Sequence, residues 1–235
     1  GGGNNLKKCT QDADRIAESI SKFGYEIRQY NDARKSSIIN ELIRMSAKLV
    51  SGDVLLFYFS GHGFVNTDKG KVTTGICASD GVIPDFETRK LLSKFRKGVE
   101  VIWICDSCHS QDNYKASYVK GAYYKKKSIV LKGSSSQFPE NPFDKMSPIE
   151  QDNVIKCSII EMASSKENQV SVETSEGGLW TTSILTAFNL KPFNNYFQIF
   201  NSAYNIVIKS KFNQTPQWKT INGNDTGWSF RAFLR

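Results

Sequence analysis

The chain has 235 residues, of which 39% are hydrophobic and 23% charged, and its formal net charge is +8. This composition is typical of a globular protein and excludes collagen, a coiled coil and wholesale disorder. The sequence has no apolar run near the roughly 20 residues that a membrane helix needs, so we expect no membrane contact.

Five cysteines are spread along the chain, an odd number in a sequence that is not short. The first residues, GGGNN, lack the apolar core of a secretory signal peptide. A disulfide framework is therefore not expected, and the cysteine usage favours a reducing, cytoplasmic compartment.

The first half of the chain alternates between helix-like and strand-like patterns of apolar residues. The predicted elements are a helix at 11–23, a strand at Tyr25–Tyr30, a helix after Asp32 through Leu49, a strand at 53–60, a small hairpin within 64–83, a helix at 86–95 after Pro84 and a strand at 99–105. This rhythm predicts an α/β fold with a mostly parallel central sheet and helices on both faces.

The middle of the chain has a different composition. No acidic residue occurs from Asn113 to Pro139, and several lysines do, so we interpret residues 113–152 as a long loop or linker. Regular structure is predicted again as a strand at 156–163, helices at 179–189 and 196–211, and a final strand at 228–234.

Two polar motifs follow the two most apolar strands. Ser60-Gly61-His62-Gly63 ends the first, and Asp106-Ser107-Cys108-His109-Ser110 ends the second. Reactive groups in open α/β sheets collect outside the carboxyl ends of strands. We therefore expect His62 and Cys108 to meet at one edge of the sheet.

A cysteine beside a histidine is the arrangement of a cysteine hydrolase. A free thiol has a pKa of about 8.5, and an imidazole can accept its proton and later protonate a leaving amine. The backbone amides of Gly63 and Cys108 are candidates for the oxyanion hole.

Other interpretations of the cysteines remain open. Cys105 fits a buried core position, and Cys105 with Cys108 forms a C-x-x-C spacing that also occurs in redox and zinc sites. Redox motifs begin a helix at the first cysteine, whereas here a strand has just ended. A zinc site needs two more ligands, and His109 directly follows Cys108.

The segments YFSGHG and DSCHS resemble the metacaspases, a family of caspase-like cysteine peptidases. Leu6–Ala13 (LKKCTQDA) is similar to the family segment that opens its first helix, and Ser158–Leu185 is similar to its small subunit. The resemblance implies a caspase-like three-layer sandwich with a large-subunit half at 1–112, an intersubunit linker at 113–152 and a small-subunit half at 153–235, which together form one catalytic domain.

The sequence departs from the family pattern in three places. The first core strand of the family precedes the segment LKKC, where this sequence has only GGGNN. Lys8 stands where a glycine precedes Cys9 in the family, and Gln111 stands where a glycine follows the cysteine motif.

The resemblance also implies a substrate pocket formed by Cys9, Asp12, Ser60 and Asp106. Two carboxylates in one recess are costly unless a cation joins them, and an arginine or lysine side chain supplies that cation. We therefore expect cleavage after Arg or Lys. The alternative roles are a helix N-terminal acid for Asp12 and a turn residue for Asp106.

Calcium dependence in the family implies acidic ligands outside the active site. Asp80 and Asp85 lie in the matching region, but Phe86 replaces the paired acid. Because Ca²⁺ needs six to eight oxygen ligands, we expect a weak or absent calcium site and no required cofactor.

The family also implies self-cleavage between the two subunits. The candidate cleavage sites in the linker are Lys115, Lys120, Lys125, Lys126, Lys127 and Lys132. These six lysines contribute +6 of the net charge of +8, so the charge is local and gives little reason to expect nucleic-acid binding.

The sequence thus predicts a cysteine endopeptidase that acts on protein or peptide substrates after Arg or Lys, with a regulatory protein or domain as a further partner. One rival is a catalytically silent caspase-like scaffold, against which the intact His62 and Cys108 argue. A second rival is a nucleic-acid binder drawn by the positive charge.

Overall fold

A computed structural model describes residues 6–68, 71–107, 125–126, 128–130, 142–166, 169–189 and 195–222. Its helices are α1 (Cys9–Ser21), α2 (Lys35–Lys48), α3 (Asp85–Leu92), α4 (Pro142–Lys145), α5 (Pro148–Asn153), α6 (Leu179–Asn189) and α7 (Tyr196–Lys209). Its strands are β1 (Val54–Ser60), β2 (Gly63–Asp68), β3 (Lys71–Ala78), β4 (Gly81–Pro84), β5 (Glu100–Asp106), β6 (Lys125–Lys126), β7 (Ser128–Val130), β8 (Ser158–Ala163), β9 (Val172–Thr174), β10 (Gly177–Gly178) and β11 (Gln217–Ile221). Within these described residues, no helix is both long and apolar enough to cross a membrane.

The central sheet has the strand order β1-β5-β8-β11. The first three strands are parallel, and β11 is antiparallel to β8. The prediction of a mostly parallel sheet is therefore confirmed. Its strands come from both sides of the segment 113–152.

Helices cover both faces of this sheet. Because neighbouring side chains of a strand point to opposite faces, Val101 and Trp103 of β5 pack into a core with Leu42 of α2. Ile102 and Ile104 instead pack into a second core with residues of α6 and α7. The result is a three-layer α/β sandwich, and burial on both faces explains why the strand sequences are almost continuously apolar.

Two smaller sheets lie outside this sandwich. β2, β3 and β4 form an antiparallel meander, with β7 parallel to β2 at its edge. This confirms the small excursion predicted within residues 64–83. The third sheet joins β10, β9 and β6.

The prediction of a strand at Tyr25–Tyr30 is wrong. The segment is not assigned to any strand, and none of its backbone groups is hydrogen-bonded to β1 in the described part of the chain. Its alternating sequence fits a strand, but without a neighbouring strand no ladder forms.

Residues 113–152 are predicted as a long loop or linker, and their described part contains regular structure. The segment contains the short strands β6 and β7 and the helices α4 and α5. A capping box that joins Ser147 and Glu150 starts α5, with Pro148 at the first helical position.

Near the carboxyl end, β11 was not predicted, and α7 ends at Lys209 rather than Lys211. The predicted strand at 228–234 lies outside the described residues.

Candidate active site

The carboxyl ends of β1 and β5 lie side by side. Ser60 is the register partner of Asp106, and the amide of Gly61 donates to the carbonyl of Asp106 at 3.3 Å. His62 lies two residues beyond Ser60, and Cys108 lies two residues beyond Asp106. The chain therefore leads the two predicted catalytic residues toward one edge, although Cys108 itself and His109 lie outside the described residues.

The backbone on both sides of this edge is anchored. The carbonyl of His62 accepts from the amide of Cys77 at 2.9 Å. The hydroxyl of Ser164 donates to the carbonyl of Ser107 at 2.9 Å, and the amide of Ser164 donates to the carbonyl of Cys105 at 3.0 Å. Ser107, the residue directly before Cys108, is thus hydrogen-bonded to Ser164, which directly follows β8.

Asp106 is completely buried, at 0% exposure, and both of its carboxylate oxygens accept hydrogen bonds. Oδ1 accepts from the hydroxyl of Ser171 at 2.5 Å. Oδ2 accepts from the amide and the hydroxyl of Thr181, at 3.1 and 2.7 Å. Thr181 is the third residue of α6, so Asp106 caps one of the amides that a helix start leaves unpaired.

Asp12 is also 0% exposed, but its surroundings differ. Oδ2 accepts from the amide of Gly178 at 2.9 Å and from the hydroxyl of Ser60 at 3.3 Å. Oδ1 lies 3.8 Å from the guanidinium of Arg15. Gly177 covers this oxygen with φ at 123°, and any Cβ at that position would collide with it.

Both carboxylates therefore meet the amino-terminal end of α6. The helix dipole places partial positive charge there, and the serine and threonine hydroxyls add further donors. These contacts offset much of the cost of burying two acids without any substrate cation. The two charges, together with burial as the larger cause, raise the pKa of the nearby Tyr58 phenol well above its usual value.

The structure thus places three of the four predicted pocket residues, Asp12, Ser60 and Asp106, near the ends of β1 and β5 and the start of α6. The fourth, Cys9, is the half-buried first residue of α1, three positions before Asp12. Gly63, predicted for the oxyanion hole, is buried at the start of β2, where it pairs with Ile76.

Three of the other cysteines have thiols that ionise poorly. Burial raises the pKa of both Cys77 and Cys157 to about 12 and raises that of Cys105 further. Cys105 packs in the core between the central sheet and helices α2 and α3. These properties fit structural cysteines and argue against a redox pair that includes Cys105.

Asp80 and Asp85, the predicted calcium ligands, make contacts within the protein. Asp80 accepts from the amide of Lys35 at 2.7 Å, and Asp85 accepts from the hydroxyl of Thr74. Among the residues that the structure describes, no group of three histidine, cysteine or acidic side chains is placed to hold a metal ion. This donor set does not fit the six to eight oxygens that Ca²⁺ takes.

Four of the six predicted cleavage sites in the linker lie outside the residues that the structure describes. Lys125 and Lys126 form β6, whose backbone pairs with Glu173 and Val172 of β9. The other four, Lys115, Lys120, Lys127 and Lys132, are not described.

Sequence reasoning missed several residues that build the site. Ser171 and Thr181 hold Asp106, Arg15 approaches Asp12, and the carboxylate of Glu173 accepts from the amides of Lys7 and Lys8, at 3.1 and 3.0 Å, just before α1. Arg15 and Asp12 are three residues apart on α1, a spacing at which helical side chains meet. The other contacts join residues far apart in sequence and leave no local pattern.

Comparison with known proteins gives a consistent result. A family model described as the caspase domain matches residues 1–224. Among curated proteins, Metacaspase-1 of Plasmodium falciparum is 29% identical over 73% of this chain. Metacaspase-1 of Debaryomyces hansenii is 24% identical over 98% of it.

The chain spans 29% of the first of these relatives and 64% of the second. Among solved structures, a protein from Geobacter sulfurreducens superposes with a TM-score of 0.79 at 21% identity, over 98% of this chain and 90% of that one. At this identity the similarity concerns the fold, which is the caspase-like sandwich.

Proposed function

Because the chain belongs to the caspase-domain family, we propose that this metacaspase-like cysteine peptidase hydrolyses protein substrates after Arg or Lys through His62 and Cys108. The observation that carries the proposal is the register of β1 and β5. It pairs Ser60 with Asp106, and each of these residues lies two positions before one member of the proposed dyad.

In the proposed mechanism, His62 accepts the proton of the Cys108 thiol, and the thiolate attacks the scissile carbonyl carbon. The amides of Gly63 and Cys108 donate to the oxygen that becomes negatively charged. His62 then protonates the leaving amine, which leaves a thioester on Cys108. A water molecule, deprotonated by His62, hydrolyses the thioester and restores the thiol.

Arg or Lys specificity is supported by the different surroundings of the two carboxylates. Asp106 accepts three hydrogen bonds from the chain itself. Asp12 already has a guanidinium, that of Arg15, near Oδ1. We therefore assign recognition of the substrate cation to Asp12, and to Asp106 the positioning of α6.

Self-cleavage in the linker is part of the proposal. A protease binds its substrate as an extended chain free of other strands, and the backbone of Lys125 and Lys126 is paired with β9. Cleavage at those two lysines needs this pairing to be lost first. We therefore expect the pairing to slow cuts at Lys125 and Lys126.

We further propose that activity does not require calcium, since Asp80 and Asp85 are engaged by Lys35 and Thr74. Addition of a chelator such as EGTA should leave the rate of peptide hydrolysis unchanged. A rate that falls severalfold with EGTA and returns with Ca²⁺ would show that residues other than Asp80 and Asp85 form a calcium site.

Fluorogenic peptides that end in Arg, Lys or Asp test the main proposal. The wild-type protein should release the fluorophore after Arg or Lys, and Cys108→Ala should abolish release. Cys157→Ala is the matched control, because it removes a buried thiol whose pKa is raised to about 12 and should keep activity. Release after Asp alone would contradict the assigned specificity.

The same assay separates the peptidase from a caspase-like scaffold. A scaffold gives no Cys108-dependent release from any of the three peptides. Mass spectrometry adds a second criterion, because a self-cleaving enzyme yields new termini after linker lysines that Cys108→Ala lacks.

A further inference from the structure

Three hydroxyl groups lie between the two buried carboxylates of the site. Ser60 donates to Oδ2 of Asp12 at 3.3 Å, and Thr181 donates to Oδ2 of Asp106 at 2.7 Å. Tyr58 stands between these two hydroxyls. Its phenol oxygen lies 2.6 Å from Oγ1 of Thr181, and a side-chain hydrogen bond joins it to Ser60. Tyr58 therefore links the surroundings of one acid to those of the other.

The direction of the hydrogen bond between Tyr58 and Thr181 follows from their neighbours. A carboxylate only accepts hydrogen bonds, so the hydroxyl of Thr181 gives its single proton to Asp106. The phenol of Tyr58 must then donate to Thr181. Burial and the charges of Asp106 and Asp12 raise the pKa of this phenol well above its usual value, so it keeps the proton at neutral pH.

The start of α6 sets the position of the Asp12 carboxylate. Gly178, the residue directly before α6, donates its amide to Oδ2 of Asp12 at 2.9 Å. A Cβ at Gly177 would collide with Oδ1, so the backbone of this segment lies tightly against the carboxylate. Thr181 is the third residue of α6. A contact that fixes Thr181 therefore also fixes the backbone donor to Asp12.

Tyr58 makes such a contact from the strand side. It lies two residues before Ser60 on β1, so the two side chains point to the same face of the sheet. Its ring packs against the core that β5 forms with α6 and α7. Because these apolar contacts hold the ring, the hydroxyl has a set position relative to Ser60 and Thr181. The same contacts remain when only the hydroxyl is removed.

We propose that Tyr58 is a positioning residue whose hydroxyl, through Ser60 on one side and Thr181 on the other, holds the carboxylate of Asp12 in the orientation that binds a basic side chain. This role rests on the proposed function, in which Asp12 recognises the Arg or Lys of the substrate. Tyr58 acts through its two neighbours and takes no part in the steps at Cys108. Its loss therefore weakens substrate binding and leaves the rate of the chemical steps unchanged.

Binding without chemistry gives the first test. The full chain carries Cys108→Ala, and the probe is benzamidine, whose planar amidinium cation resembles the end of an arginine side chain. Tyr58→Phe removes the hydroxyl and keeps the ring, so the Kd of benzamidine, followed by NMR titration, should rise about fivefold. Asp12→Asn in the same background should raise the Kd about 100-fold.

A second tyrosine controls for the loss of a phenol hydroxyl. Tyr204 of α7 packs against the same core as Tyr58, and Tyr204→Phe should bind benzamidine like the parent protein. In the enzyme with Cys108 intact, Tyr58→Phe should raise KM for Arg and Lys peptides about fivefold with kcat unchanged. A side chain that only supports the fold would lower the melting temperature without this separation of KM from kcat.

A double variant tests the link through Ser60. If Tyr58 and Ser60 act independently, the fold-changes of Tyr58→Phe and Ser60→Ala on the Kd of benzamidine multiply. Because Ser60 transmits part of the effect of Tyr58, the Kd of the double variant should be about two- to threefold below that product.

Several results would overturn the proposal. Equal Kd values for Tyr58→Phe and the parent, or fold-changes that multiply in the double variant, would remove the role of Tyr58. A fall in kcat at constant KM would place Tyr58 in the chemical steps. A parent protein that does not bind benzamidine would have no cation site for Tyr58 to position. Benzamidine binding that weakens as stated, in a protein that cleaves no peptide, would support the role of Tyr58 while the proposed peptidase activity fails.

Discussion

The two buried carboxylates at the edge of the central sheet have different surroundings. Among the described residues, Ser171 and Thr181 donate three hydrogen bonds to the carboxylate of Asp106. Gly178 and Ser60 donate to Oδ2 of Asp12, and Oδ1 lies 3.8 Å from the guanidinium of Arg15. Asp106 therefore joins the end of β5 to the start of α6, whereas Asp12 combines a structural contact with a cation contact.

This difference changes the interpretation of an acidic pocket. Two carboxylates in one recess suggest at first that both recognise a basic substrate. The donors around Asp106 show that burial of an acid can be balanced by the chain itself. Only the acid whose surroundings already include a cation is a good candidate for substrate recognition.

The largest effect on stability is expected for Asp106→Ala. The substitution removes the acceptor of three buried hydrogen bonds, one from Ser171 and two from Thr181, which costs about 3–5 kcal/mol of the free energy of unfolding. Urea denaturation measures this loss. Ser171→Ala removes a single donor and should cost about 1 kcal/mol, and a similarly small loss for Asp106→Ala would contradict its role in positioning α6.

The largest effect on specificity is expected for Asp12→Asn. The amide oxygen can still accept from Gly178, but the negative charge is lost, so kcat/KM for Arg and Lys peptides should fall about 100-fold. Asp14→Asn removes an exposed acid from the same helix and should leave kcat/KM unchanged. Equal kcat/KM values for Asp12→Asn and the wild type would show that another residue recognises the Arg or Lys side chain of the substrate.

A smaller effect is expected for Arg15→Gln. Arg15 lies 3.8 Å from Asp12, to which we assign recognition of the substrate cation, and its side chain is 32% exposed, so its loss should change stability by less than about 1 kcal/mol. We expect KM for Arg peptides to fall two- to threefold, with kcat unchanged. Lys8→Gln removes the same charge about two helical turns away and controls for the net charge. A rise in KM for Arg15→Gln would mean that Arg15 assists binding.

The smallest effect concerns a third acid, Glu161, which receives no hydrogen bond from the described residues. Burial raises the pKa of this carboxyl, although Arg89 and Lys219 oppose the shift. A carboxyl with a raised folded pKa contributes stability below its unfolded pKa and loses that contribution as pH rises. Glu161→Gln should therefore match the wild type at pH 4 and be up to about 1 kcal/mol more stable at pH 7.

Melting curves from pH 4 to pH 7 measure this difference. A variant that is less stable than the wild type at pH 7 would show that the ionised Glu161 is stabilised by its neighbours. The protein around Glu161 would then stabilise its carboxylate, as Ser171 and Thr181 do for Asp106.

The sequence predicted the elements that carry strong local patterns. β1 and β5 are long apolar runs, and their polar endings marked the position of the site. Helices α1 and α2 have apolar residues at helical spacing, which local sequence alone shows.

Features that depend on distant partners were not predictable. Tyr25–Tyr30 has the alternation of a strand, but whether it forms one depends on a neighbour that no local pattern reveals. β11 is a strand because β8 lies beside it. The donors to Asp106 come from residues 65 and 75 positions away, so no local pattern could identify Ser171 and Thr181 as its partners.

Chemical labelling can show whether Cys108 is a nucleophile beside a pocket for basic side chains. The protein is treated with a peptidyl acyloxymethyl ketone that ends in Arg, digested and examined by mass spectrometry. We expect a single thioether on Cys108, its loss in His62→Ala and no labelling by the matching Asp reagent. Labelling of another cysteine, or equal labelling by the Arg and Asp reagents, would contradict this expectation.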